Sequence, residues 1–280
     1  MKSLLSYCGQ HVRDNDPDRF LLSMFVPADR REALWALFAF NHEIAKTREV
    51  VSETQLGLIR LQWWREAISK IYDTPPSPDG PGATSGEVMD HEILKVLAPA
   101  IKEYNLPRDN FNTLVYAREF DLENICPGTL DGLLSYADFT SSPLLHMALL
   151  ICGDEPDMEP VPPVAVNYAL AGLLRAVPFH AAQRRCYLPE DLMKKHGVTL
   201  KQLFDFAKPE PTLPALIKEI SGHFVPGIRR PASRFLKATQ VLAGIYMGQI
   251  RRCRYDVYSG KMVVSPAFKE LRLALWTFLR

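Results

Sequence analysis

The chain has 280 residues, of which 47% are hydrophobic and 23% charged, and its net charge at pH 7 is +1. This balance is typical of a globular protein with a substantial core and gives no support for nucleic-acid binding. Five dispersed cysteines without a C-x-x-C pair indicate reduced thiols and exclude a zinc-ribbon type of metal site. The N-terminus lacks the apolar core of a signal peptide, and no apolar run approaches the ~20 residues needed to span a bilayer. We expect a protein of the cytoplasm or the periphery of the inner membrane, or of the mitochondrial matrix if it is eukaryotic and processed.

Helical periodicity dominates the chain from its N-terminal third onwards. Residues 29–49 place their apolar side chains along one stripe, and residues 53–73 repeat the pattern. The same period predicts further helices over 91–105, 109–123, 130–152, 164–184, 212–223, 229–257 and 265–279. No run of useful length alternates with period two, so we predict an all-α fold. Helices of similar character flank each proline-rich stretch, which favours a single domain over 1–280. Residues 74–86 are rich in Pro and Gly and are predicted to form a mobile loop.

Several short motifs carry a family resemblance because of their order along the chain. Arg60-Leu-Gln-Trp-Trp-Arg-Glu66 has the form R-L-x-W-W-R-E, and Ala36-Leu-Phe-Ala-Phe40 precedes it. Leu173-Leu-Arg175 and Arg185-Cys-Tyr-Leu-Pro-Glu-Asp191 follow in the second half. The ordered set resembles the squalene/phytoene synthase family over nearly the whole chain. The resemblance implies an isoprenoid-synthase type helical bundle with a central apolar cavity.

Active members of that family hold substrate diphosphates through Mg²⁺ with two aspartate-rich helical motifs. Mg²⁺ prefers hard oxygen ligands, and a D-x-x-x-D spacing puts two carboxylates on one helical face. The six corresponding positions here hold Ala45, Lys46, Glu49, Ala176, Phe179 and His180. Their formal charge changes from about −6 to about 0, which opposes a metal–diphosphate cluster. The resemblance therefore implies that ordinary catalysis is lost, and we expect neither a metal nor another cofactor.

A narrower resemblance concerns a degenerate subgroup of the family. The patterns Ala39-Phe-Asn-His-Glu43 and Leu174-Arg-Ala-Val-Pro-Phe-His180, with Asp256-Val-Tyr258 near the C-terminus, resemble the subgroup that assists assembly of mitochondrial respiratory complex I. This resemblance implies a non-catalytic role with respiratory-complex assembly proteins as partners. It is also compatible with an isoprenoid or lipid ligand in the residual cavity.

The candidate ligand-binding residues are Arg175, Arg184, Arg185, Tyr187 and Asn41. Forked guanidinium groups bind phosphate or an anionic lipid headgroup without a metal, and the family binds diphosphate on this side. The alternative is a solvated basic face paired with the acids at 190 and 191. His180 is interpreted either as a packed core histidine or as a base or ligand of a softer metal.

Two other functions stay open at this point. An active Mg²⁺-dependent prenyl transferase would need displaced acids, for which Asp121 is the best candidate, with Glu119 and Glu123 beside it. A peripheral lipid-binding module would bind liposomes in a salt-sensitive way through Arg184 and Arg185. The transferase would bind prenyl diphosphates, and the lipid-binding module would contact a membrane.

Overall fold

A computed structural model describes residues 5–73, 90–205, 212–229 and 231–278. The secondary structure of these residues is helical and contains no strand, which confirms the all-α prediction. The predicted loop at 74–86 lies outside the described residues. Within the described part of the chain, no helix is both long enough and apolar enough to cross a bilayer.

The helices are labelled α1 to α16 in chain order. In the first half they are α1 (Tyr7–Asn15), α2 (Pro17–Ser23), α3 (Arg31–Ala45), α4 (Thr47–Val50), α5 (Thr54–Asp73), α6 (Glu92–Glu103), α7 (Arg108–Glu123) and α8 (Leu130–Cys152). In the second half they are α9 (Val161–Arg175), α10 (Val177–Ala182), α11 (Glu190–His196), α12 (Leu200–Phe204), α13 (Leu213–Ser221), α14 (Arg234–Arg252), α15 (Gly260–Val263) and α16 (Lys269–Phe278).

Two predicted helices are each divided in the structure. The helix predicted over 29–49 ends at Ala45, and the short α4 begins again after Lys46. The helix predicted over 164–184 ends at Arg175, and α10 begins at Val177 with a proline in its first turn. Proline is well tolerated in a first turn because the amide it lacks would have no helical partner there. The proline at 178 therefore starts a helix instead of kinking one.

The chain divides into two compact units. The first unit comprises 1–123, 143–159 and 233–235, and the second comprises 124–142, 160–232 and 236–280. Whether the chain is one domain, as the sequence predicts, stays a prediction.

The core of the first unit is built around α3 and α5. Phe40 of α3 lies edge-on to Trp64 of α5, with ring centroids 5.4 Å apart, and to Phe111 of α7 at 5.3 Å. All three rings are fully buried. Such edge-to-face aromatic contacts add to the free energy gained by burying the rings. They position the C-terminal end of α3, where the first family motif falls.

Buried polar side chains hold the loops of the second unit. Asn167 donates from Nδ2 to the carbonyl of Val225 at 3.1 Å and accepts at Oδ1 from the amide of the same residue at 3.0 Å. Gln249 on α14 donates to the carbonyls of Lys261 and Val264, both at 2.8 Å. Buried backbone groups need such partners because loops lack a helical ladder. The loops on either side of α14 are thereby fixed to the helices.

Candidate functional site

A buried glutamate dominates the region of the first family motif. Glu43, on the last turn of α3, is 8% exposed. Lys46 donates from Nζ to Oε1 of Glu43 at 2.5 Å, and Arg60 on α5 donates from its guanidinium to Oε2 at 2.6 Å. Both carboxylate oxygens therefore accept a charge-assisted hydrogen bond, the stronger kind of hydrogen bond in proteins.

Histidines surround this carboxylate. His11 on α1 has Nε2 3.5 Å from Oε1 of Glu43, and its ring lies 5.1 Å from that of His42. His91 packs against Trp64 with ring centroids 5.1 Å apart. Burial lowers the pKa of each of the three histidines, against a smaller opposing attraction from Glu43. We call His11, His42, Glu43, Lys46, Arg60 and His91 the Glu43 cluster.

The residues at the first motif do not fit a bound Mg²⁺. Ala45 offers no donor atom, and the ammonium of Lys46, at a position to which the family resemblance assigns a carboxylate, is bonded to Glu43. Glu49 is exposed and lies on α4, beyond the break that separates this short helix from α3. Across the described residues, no group of three or more His, Cys, Asp or Glu side chains is placed to hold a metal ion. A site with cations at its acidic positions opposes the divalent ion.

The second motif carries an aromatic arrangement in place of acids. Phe179 is 55% exposed. The ring of His180 lies 4.7 Å from that of Tyr187, which stacks on Tyr136 at 5.3 Å. The backbone amide of Arg185 donates to the carbonyl of His180 at 2.8 Å and closes the turn after α10. This turn brings the rings of His180 and Tyr187 into edge-on contact within the second unit.

Arg175 is the candidate ligand residue with the most defined surroundings. Its guanidinium carbon lies 3.5 Å from the ring centroid of Tyr246 on α14, a cation–π contact. Lys269 on α16 donates from Nζ to the hydroxyl of the same tyrosine at 3.4 Å. Sequence reasoning missed Tyr246 and Lys269, because an aromatic residue on the apolar face of a long helix carries no functional signal.

Arg184 and the basic residues of α11 do not share the surroundings of Arg175. Arg184 is exposed and adopts a left-handed backbone conformation with φ of 55°. Lys195 donates to Glu219 at 2.7 Å, and His196 contacts the same carboxylate at 2.8 Å. Asp191 accepts at Oδ2 from the amide of Leu130. The carboxylate of Asp191 therefore supports the start of α8, whereas Lys195 and His196 form their ion pairs with Glu219.

The candidate acids for an active enzyme take part in ion pairs. Asp121 is 8% exposed, and Arg118 contacts its Oδ2 at 3.4 Å. Glu119 accepts from Arg65 at 2.5 Å. Asn41 is 3% exposed, and its Oδ1 has no hydrogen-bond partner among the described residues. An amide oxygen buried in this way is suited to accept from a ligand donor or a water molecule.

A comparison with known protein families gives the same family as the ordered motifs. The sequence model of squalene/phytoene synthases matches residues 12–269. The chain belongs to that family. Among solved structures, a squalene synthase from Alicyclobacillus acidocaldarius superposes with a TM-score of 0.70 at 18% identity, over 89% of this chain and 93% of the other. That likeness confirms the terpenoid-synthase fold that the sequence predicts.

Curated relatives include proteins of two kinds. The NADH dehydrogenase (ubiquinone) complex I assembly factor 6 of Homo sapiens is 32% identical over 197 residues, which cover 69% of this chain and 55% of that protein. Presqualene diphosphate synthase of Rhodopseudomonas palustris is 22% identical over 231 residues, which cover 79% and 77%. The chain spans about half the length of the human relative.

Proposed function

We propose that this protein is a catalytically degenerate squalene/phytoene synthase relative that assists assembly of respiratory complex I. The observation that carries the proposal is the bonding of Glu43. Both of its oxygens are occupied by the cations of Lys46 and Arg60. The only acid kept at the motif positions, Glu49, lies on a separate short helix.

Electrostatics supports the loss of metal-dependent chemistry. Glu43 contributes one negative charge against the two positive charges of Lys46 and Arg60, so these three groups are net cationic. A divalent ion near them would be opposed by several kcal/mol at the effective dielectric of a protein. The second motif adds Ala176, Phe179 and His180, none of which carries a carboxylate. The six positions that the resemblance assigns to the acidic motifs therefore hold a single carboxylate, that of Glu49.

The assembly role rests on similarity to a curated protein. The human relative named as a complex I assembly factor is more similar to this chain, at 32% identity, than presqualene diphosphate synthase at 22%. The sequence patterns at 39–43, 174–180 and 256–258 also resemble the assembly subgroup. Respiratory-complex assembly proteins are therefore the proposed partners, and the protein would work at the periphery of the inner membrane.

The second unit supports binding of an isoprenoid or lipid that carries an anionic headgroup. Arg175 and Lys269 bring two cations to the ring and hydroxyl of Tyr246. Guanidinium and ammonium groups bind phosphate oxygens without a metal. The proposed ligand is an amphiphile with a phosphate or diphosphate head, and its binding would not require Mg²⁺.

Calorimetric titration with farnesyl diphosphate, with and without Mg²⁺, tests the loss of catalysis and the binding together. We expect no release of pyrophosphate in either condition and a dissociation constant that Mg²⁺ does not improve. The Arg175→Gln variant should weaken binding about tenfold or more, as expected for a charged hydrogen-bonding partner. Arg252→Gln, at an exposed position of α14, is the matched control. Pyrophosphate release that depends on Mg²⁺ would refute the proposal.

A genetic experiment tests the assembly role. Deleting the gene in the source organism should lower the amount of assembled NADH dehydrogenase on native gels, and the wild-type gene should restore it. Glu49→Gln removes the last acid at the motif positions and should restore assembly equally well. If that variant fails to restore assembly although the protein accumulates normally, a catalytic carboxylate is required and the proposal is wrong.

A further inference from the structure

The outer side of α16, in the second unit, is apolar although it faces solvent. Phe268, the residue before the helix, is 76% exposed, and Leu271 and Leu275 of the helix are exposed as well. These three residues follow one another at spacings of three and four, so they lie along one side of the helix. The opposite side carries the buried Leu273 and Thr277. A surface helix normally presents polar side chains to water, so this apolar stripe indicates an interaction site.

Exposed apolar residues continue in the segment that leads to α16. Val263, the last residue of α15, is 89% exposed, and Val264 after it is also exposed. Gln249 of α14 donates from its side-chain amide to the carbonyls of Lys261 and Val264, both at 2.8 Å. These two hydrogen bonds fix the segment to the end of α14 and leave the valine side chains in solvent. We call Val263, Val264, Phe268, Leu271 and Leu275 the C-terminal apolar group.

Phe268 has a backbone conformation that a phenylalanine rarely adopts. Its φ is 54°, in the left-handed region that glycine and asparagine enter most readily. Packing of a buried ring would offset this conformational cost, but the ring of Phe268 lies in solvent. Neither packing nor backbone preference therefore accounts for a phenylalanine at this position, whereas contact of its ring with an apolar partner does.

Contacts on the inner side hold α16 with the stripe facing outwards. Lys269 donates from Nζ to the hydroxyl of Tyr246 on α14 at 3.4 Å, and Leu273 is fully buried. Arg272, beside the stripe, has its guanidinium carbon 4.9 Å from the ring centroid of the exposed Trp276. The margin of the stripe thus combines a cation with an indole ring.

Basic residues are concentrated in the same part of the chain. Residues 251–280 contain seven Lys and Arg against two Asp and Glu, whereas the whole chain contains 33 against 32. Arg251, Arg254 and Lys261 are exposed. The bond from Gln249 to the carbonyl of Lys261 brings the end of α14, where the two arginines lie, next to α15. Apolar side chains accompanied by cations complement an anionic bilayer, because the former enter its interface and the latter attract its headgroups.

We propose that the C-terminal apolar group and these basic residues form the surface with which the protein lies on an anionic membrane. The inference deepens the proposed function and rests on its placement at the inner membrane, for which it assigns the contact surface. Trp276 beside Arg272 suits the boundary between headgroups and acyl chains, where tryptophan is enriched in membrane proteins. Lysine is depleted at protein interfaces, so Lys261 favours a lipid surface over a protein partner.

Co-sedimentation of the full chain with sucrose-loaded vesicles tests the proposal. The vesicles consist of phosphatidylcholine alone or of an equimolar mixture with phosphatidylglycerol. We expect binding to the mixed vesicles, binding about tenfold weaker or less to phosphatidylcholine, and a loss of affinity with added salt, because cations near an anionic surface are attracted and salt screens them. Protein that stays in the supernatant with the mixed vesicles at low salt would overturn the proposal.

Phe268→Asn separates contact with the membrane from a structural role. Asparagine adopts the left-handed conformation readily, so the variant should keep or raise the thermal midpoint while its affinity for the mixed vesicles falls about tenfold. Phe139→Asn, at an exposed position of α8 in the same unit, is the matched control and should bind as the wild type does. Equal losses of affinity in the two variants would refute the assignment of the surface.

Two further measurements distinguish a bilayer from other occupants. Vesicle binding should shift the fluorescence of Trp276 to the blue, and a shift that persists in Trp276→Phe would place the contact elsewhere and overturn the assignment. Without vesicles the protein should sediment as a monomer, and a dimer that Phe268→Asn dissociates would assign the face to a second copy instead. None of these measurements depends on pyrophosphate release or on assembly of complex I, so their failure is distinct from failure of the proposed function.

Discussion

Lys46 and Glu43 form an ion pair one helical turn apart, with Nζ 2.5 Å from Oε1. In the family resemblance, position 46 belongs to a carboxylate that would help hold Mg²⁺. Here the position supplies the cation that neutralises a glutamate three residues earlier. Arg60 completes the arrangement from α5 at 2.6 Å. The carboxylate of Glu43 at the end of α3 therefore links this helix to α5 through Arg60.

Replacing the central carboxylate should destabilise the first unit. Glu43→Gln removes the negative charge and leaves the cations of Lys46 and Arg60 without compensation, and we expect a loss of about 2 kcal/mol. The estimate is at the low end for a buried pair because the side chains of Lys46 and Arg60 are 27% and 33% exposed. Urea denaturation measures the change. Lys46→Met, which leaves Arg60 bonded to Glu43, should cost less than about 1 kcal/mol.

The adjacent tryptophans of α5 should differ in their contribution to stability. Trp64 is 1% exposed and packs against Phe40 and His91, whereas Trp63 is 40% exposed. Trp64→Ala should cost about 3–5 kcal/mol because it leaves a large cavity. Trp63→Ala should cost about 1 kcal/mol, since much of its ring already contacts water. Equal losses in the denaturation midpoints of the two variants would contradict this difference.

Asp121 should matter for stability and have no role in metal binding. Asp121→Ala removes a carboxylate that the mostly buried Arg118 contacts, and we expect a loss of about 2 kcal/mol. Asp131→Ala, at an exposed position in the first turn of α8, should change stability by only about 0.5 kcal/mol. Calorimetric titration with Mg²⁺ supplies the second measurement. A wild-type binding signal that Asp121→Ala abolishes and Asp131→Ala preserves would support the enzyme alternative.

The three histidines of the Glu43 cluster should make the fold sensitive to acid. Burial lowers the pKa of His11, His42 and His91 below the ordinary value of 6.5, so the unfolded chain binds protons at a higher pH than the folded chain does. Stability should be retained above about pH 6.5 and fall as the pH decreases below it, because protons then favour the unfolded state.

Thermal unfolding between pH 7.5 and pH 5 measures this effect. The double variant His11→Gln and His42→Gln should unfold with a smaller decrease in midpoint over the same range. His223→Gln, at an exposed position of the second unit, should keep the wild-type slope. The same decrease in all three proteins would show that other groups cause the acid sensitivity.

Local sequence patterns were sufficient for the longest helices. The apolar period over 53–73 and 130–152 predicts helices that the structure has at Thr54–Asp73 and Leu130–Cys152. The break at Lys46 was not predicted, because lysine does not disfavour a helix, whereas the break at Ala176 lies two residues before Pro178, a residue type that interrupts helices. The short helices α11, α12 and α15 were also missed, since too few turns repeat for periodicity to be visible.

The sequence by itself determined the helical class and the family, because these depend on residue type and on spacing within a few turns. Only the tertiary structure decided which groups meet across long separations. Arg60 reaches Glu43, and Arg175 meets Tyr246. No local period encodes such pairs, since they depend on how separate helices pack and on where each chain segment returns.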